Sequence, residues 1–126
     1  MSADKDLDRA PLFEYRDDDR EVWEEDLADF VPARIFDAHA HLFQRSLVAR
    51  DHWDKVHFKD ADFSDLQRFT GAVFPGREVH YLGLGCPSLG TDVDAHNRMM
   101  YEEFGKDPLS RMNRLTTPAD TAEQIE

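Results

Sequence analysis

At 126 residues and 14.6 kDa the chain has room for one small domain, and 40% hydrophobic with 11% aromatic residues is enough for a core. A net charge of −12 and a sequence pI near 4.8 repel phosphate backbones and exclude nucleic acid as an expected partner. One cysteine, Cys86, excludes an intramolecular disulfide, and no basic-then-apolar leader or membrane-length apolar run is present.

The expectation from these bounds is a soluble, cytoplasmic protein with no membrane partner. Its acidity is concentrated at the start, where residues 1–30 carry twelve acids against four bases. Residues 1–12 read as a loose terminus. "DDDREVWEEDLADF" (17–30) predicts a short helix, with Trp23, Leu27 and Phe30 on one apolar stripe. Its three leading aspartates suit the positive end of the helix dipole, and they read as a solvated face rather than a cation site. Pro32 ends the helix. The expected division is an acidic arm and helix over 1–30 and a folded α/β part over 31–126.

"RIFDAHAHLF" (34–43) predicts a buried first strand. Strict alternation would place Asp37, His39 and His41 on one face and Phe36, Ala38, Ala40 and Leu42 on the other. A buried polar face costs several kcal/mol unless something pairs with it. A divalent metal would satisfy it, since imidazole is a good ligand and carboxylate a ligand or support. The plain alternative is a pair of hydrogen-bonded structural histidines. Two ligands do not complete a zinc site, so others must come from elsewhere.

Residues 44–61 predict a long connection carrying His52, Trp53 and His57, candidates to line a pocket or simply surface residues. "FSDLQRFTGAVF" (63–74) predicts a helix with Ser64 as its cap and Leu66, Phe69 and Val73 at helical spacing. "EVHYLGLG" (78–85) predicts a second strand, in which His80 reads as a satisfied structural histidine and the following Cys86 as a small buried residue. Within 90–108, Thr91 or Asp92 can cap a helix whose stripe is Val93, Asn97, Met100 and Phe104, closed by Gly105 and Pro108. "SRMNRLTT" (110–117) predicts a third, weak strand, and "TPADTAEQIE" a further helix with Thr117 as cap and Pro118 at its first position.

A helix followed by three strand–helix pairs implies parallel strands with helical crossovers. At this point the residues resemble a family. "VPARIFDAHAHLF", with "FPGREVHYLGL" and "DPLSRMNRLTTPAD" downstream, is similar to the opening of the amidohydrolase superfamily, most of all its amidohydrolase-related branch of decarboxylases, lactonases and hydratases. The resemblance covers roughly residues 20–126. It implies the first three βα units of a (β/α)₈ TIM-type barrel, preceded by the short acidic helix. It implies His39 and His41 as two ligands of a divalent ion, zinc first, with manganese or iron as alternatives. Asp37 matches the aspartate that often precedes the pair, as a supporting or structural partner. In the full-length parent the metal would activate a water against a carbonyl or carboxylate of a small-molecule substrate.

The family's remaining ligands and its proton-shuttling aspartate lie on later strands, and no position here matches them. A complete barrel takes about 250 residues. The expectation is therefore the N-terminal part of a metal-dependent hydrolase or lyase, inactive alone, the chain breaking off inside a capped helix. The competing reading is a non-catalytic short α/β protein that folds by oligomerisation or by docking to a partner. A third is an unrelated α/β domain in which both histidines are structural.

Overall fold

The fold is built on three short extended segments separated by two capped helices, seen in a computed structural model that describes residues 15–49, 59–86 and 89–125. The elements in order are α1 (Asp17–Val22), a π-helical turn (Trp23–Leu27), β1 (Arg34–Ala40), a 3₁₀ turn (Arg45–Leu47), α2 (Phe63–Val73), β2 (Glu78–Leu84), α3 (Val93–Phe104), β3 (Arg111–Asn113) and α4 (Ala122–Ile125). The strands form one parallel sheet in the order β1-β2-β3. His52, Trp53 and His57 lie outside the described residues.

Each crossover helix starts on an aspartate. Asp62, not Ser64, caps α2: its carboxylate accepts from the Asp65 amide at 3.0 Å, and Asp65 reciprocates to the Asp62 amide at 3.1 Å. The Ser64 hydroxyl instead donates to Asp62 at 2.6 Å. Asp92 caps α3 through the Ala95 amide at 3.0 Å. A carboxylate in this position also meets the positive helix end, a gain a serine hydroxyl lacks.

Both helices pack on the same face of the sheet. Phe63 and Leu66 of α2 and Met99, Met100 and Phe104 of α3 enclose Tyr81, Val79, Ala40, Leu42 and Met112 in one cluster. Phe63, Tyr81 and Phe104 meet edge to face, with centroids 5.6 to 6.4 Å apart. Gly83 makes this approach possible: a Cβ there would lie 2.2 Å from the Phe104 ring. On the other face of β1, Phe36 is 54% exposed.

The N-terminal helix is shorter and differently phased than its stripe implies. The Ala28 amide donates to the Trp23 carbonyl at 2.8 Å, a bond five residues back that adds one residue to the turn. That extra residue rotates the stripe, so Trp23 is buried while Phe30 stands 84% exposed. Arg77, just before β2, lies over the Trp23 ring at 5.0 Å and donates to the Val31 and Ala28 carbonyls. β3 is three residues rather than eight, because beyond Asn113 the chain is drawn away to α3 at Leu115. Thr117 to Asp120 form a turn closed by the Thr117 amide on the Asp120 carboxylate at 2.8 Å, and α4 begins only at Ala122.

Candidate functional site

Parallel strands that all cross over on one side leave their C-terminal ends at one rim. His39 and His41 stand there, at the end of β1. The register explains how they meet. Asp37 pairs with Tyr81 and Ala40 with Gly83, so three steps on β1 match two on β2: a bulge. Ala38 and His39 together oppose Leu82. Asp37 shares the helix-covered face with Tyr81, and Ala40 and Leu42 follow it into the core.

This alters the expected alternation. Asp37 does not stand in phase with the histidines, and its carboxylate accepts from the His39 backbone amide at 2.9 Å. It braces the bulged backbone rather than an imidazole ring.

The two rings converge. His39 Nε2 and His41 Nε2 are 2.9 Å apart, with the rings edge to face. His41 Nδ1 lies 2.7 Å from the Leu84 carbonyl. A carbonyl only accepts, so His41 carries its proton on Nδ1, and in the neutral ring Nε2 keeps a free lone pair. The His39 Nε2–H then donates into it. One nitrogen fixed by a carbonyl, with the other left as an acceptor that here takes only the His39 ring, is the arrangement in which metal-binding imidazoles are usually held. Among the described residues no group of three or more His, Cys, Asp or Glu is placed to hold a metal, so the pair stands as two candidate ligands.

A third histidine lies behind this rim. His96, 4% exposed on α3, accepts the Cys86 amide on Nε2 at 3.1 Å. Burial, and secondarily the nearby His41, hold its pKa below the usual histidine value. The sequence offered one signal for it: His96, Met100 and Phe104 form the buried stripe of α3, and a histidine in an apolar stripe asks for a partner.

His80 is satisfied, as its position in a strand suggested, but by charge. Its Nδ1 meets Asp107 at 2.7 Å and its Nε2 meets Glu78 at 2.8 Å. Carboxylates only accept, so both ring nitrogens donate and the ring is an imidazolium. Asp107 foremost, then Glu78, raises the His80 pKa. Asp107 also accepts from Ser110, whose oxygen takes the Tyr81 amide at 2.9 Å. A cleft of about 360 Å³ at this end is lined by Gln67, Thr70, Arg77, His80, Lys106 and Asp107 among others, and by neither His39 nor His41.

No helix among the described residues is long and apolar enough to cross a membrane. Comparison with protein-family models, with curated proteins and with solved structures finds no significant match.

Proposed function

We propose that His39 and His41 are two ligands of a divalent metal ion, zinc foremost, in a hydrolase or lyase of the amidohydrolase type that acts on a carbonyl or carboxylate of a small molecule. The observation that carries this reading is the convergence of the two Nε2 atoms with His41 fixed from behind by Leu84. A bound ion would supply an activated water and polarise the substrate. The chain's own residues hold the site. Asp37 fixes the bulge that turns His39, and the Leu84 carbonyl fixes the His41 tautomer. His39 must pass its Nε2 proton to Nδ1 to offer a lone pair.

The architecture agrees with the start of a (β/α)₈ barrel. Consecutive parallel strands carry both crossover helices on one face, and the histidines sit at the C-terminal rim where such barrels place chemistry. We read the other face, with Phe36 exposed, as the side that further strands would enclose, bringing the remaining ligands. The 126 residues alone are then inactive. The non-catalytic alternative keeps the same sheet, covers Phe36 with a partner and has no use for the pair.

Cobalt(II) titration followed by visible absorption separates them. The metal reading expects one equivalent to give a d–d spectrum that His39→Ala and His41→Ala each abolish while the far-UV circular dichroism is retained. Equal, weak binding by all three proteins would overturn it.

A further inference from the structure

Among the described residues, segments that follow each of the three strands are tied to one place, the first turns of α3 and the turn before it. Ala49, after β1, donates its amide to the Gly90 carbonyl at 2.8 Å, and the Asp92 amide donates to the Leu47 carbonyl at 2.8 Å. Asn97 clamps the segment after β3, giving its amide to the Leu115 carbonyl at 2.8 Å and taking the Leu115 amide at 2.9 Å. Its neighbour His96 takes the Cys86 amide, after β2. Two residues before Cys86 is Leu84, whose carbonyl holds His41. Gly85, between them, has no slack: a Cβ there would lie 2.8 Å from that of Leu115.

We infer that His96 is a positioning residue for the His39–His41 pair, acting through the Leu84–Cys86 segment; the inference rests on the metal-site reading and deepens it. The chain of contacts is short. His96 Nε2 fixes the Cys86 amide, the segment so fixed aims the Leu84 carbonyl, and the carbonyl sets the tautomer and tilt of His41. A buried helix site that must accept one amide and carry no charge suits a neutral imidazole. An aspartate would bring an unpaired charge into a position that is 4% exposed. Accepting the Cys86 amide requires an unprotonated Nε2, and burial, which lowers the His96 pKa, favours that form.

The experiment compares wild type with His96→Leu, His96→Gln and Cys86→Pro, all with circular dichroism as a check of folding. In the metal-free proteins, nitrogen-15 NMR reads the His41 tautomer and the exchange of its Nδ1 proton. Zinc affinity is read by competition with a chelator. His96→Leu and Cys86→Pro, which remove the acceptor and the donor in turn, are expected to expose the His41 Nδ1 proton to exchange. Both are expected to weaken zinc about 10–100-fold, as loss of a supporting partner does. His96→Gln keeps an acceptor oxygen and is expected to stay near wild type on both readouts. Cys86→Pro leaves the core stripe intact, so it decides the matter if His96→Leu does not fold. A folded acceptor-less or donor-less variant with an unchanged His41 proton would overturn the inference. If wild type binds no zinc while the His41 proton still responds, the metal-site reading fails and the positioning survives.

Discussion

His80 shows how far one residue can be pushed by its neighbours. Held between Asp107 and Glu78, it keeps its proton to higher pH than a free histidine. A folded-state pKa above the unfolded value of about 6.5 gives stability that is complete below that pH and lost as pH rises through the folded value. Glu78 titrates low, chiefly through His80, and so does Asp107, where hydrogen bonds from Ser110, His80 and Leu109 outweigh the opposing effect of burial. Their share is complete above the unfolded carboxylate range of about pH 4 and is lost as pH falls below it. The stability gap between wild type and His80→Gln, from urea unfolding across pH, is therefore expected to be widest between about pH 4.5 and 6.5 and to close on the alkaline side. His96, held low by burial, runs the other way but is common to both proteins and drops out of the difference. A gap that widens with rising pH would contradict the imidazolium assignment.

The same scale shows what residue types reveal. His39 and His41 stand out in the sequence because two polar rings in an apolar strand need a partner. Their contact with each other and with Leu84 does not, since the partner of His41 is a backbone carbonyl 43 positions away. Asp37 was legible as part of the group but not in its role. The bulge that moves it to the other face falls between Asp37 and Ala40, at Ala38 and His39, and Ala38 fits any face.

At the scale of elements, β2 and α3 meet closely, with no room for a side chain between them at Gly83. Gly83 admits the Phe104 ring where any side chain would collide with it. Gly83→Ala is expected to cost about 1–3 kcal/mol in urea unfolding, the usual range for overpacking a filled core. Adding Phe104→Leu should recover part of that cost, so the double variant is more stable than the sum of the singles. Additive losses would mean that the glycine serves the strand rather than the ring. The helices themselves were readable, because caps and apolar spacing are local signals. Their limits were less so. The π-turn at Trp23–Leu27 comes from a hydrogen-bond pattern that no spacing of Trp23, Leu27 and Phe30 encodes. β3 is short because Asn97 captures Leu115, a tertiary contact that overrides the run's own length.

At the scale of the molecule, alternation of helix and strand was enough to give a parallel sheet with crossovers. It also explains the one-sided packing, since right-handed crossovers that step in one direction place every helix on the same face. The consequence is a division of labour along the strands. Their N-terminal ends carry the charged network of His80, Glu78 and Asp107, together with Arg77 over the Trp23 ring. Their C-terminal ends carry the histidine pair, with α3 gathering the loops around it. On the proposed reading, position, tautomer and exposure favour the pair over His80 or His96 as the place for a metal.

The most direct test is a zinc titration of the nitrogen-15-labelled protein, following the ring nitrogens of its histidines one by one. One equivalent of zinc should shift Nε2 of His39 and His41 together, leave the His41 Nδ1 proton on Leu84 in place, and spare His80 and His96. Shifts confined to His80 or His96, or none at the pair until zinc is in large excess, would contradict a metal site at His39 and His41.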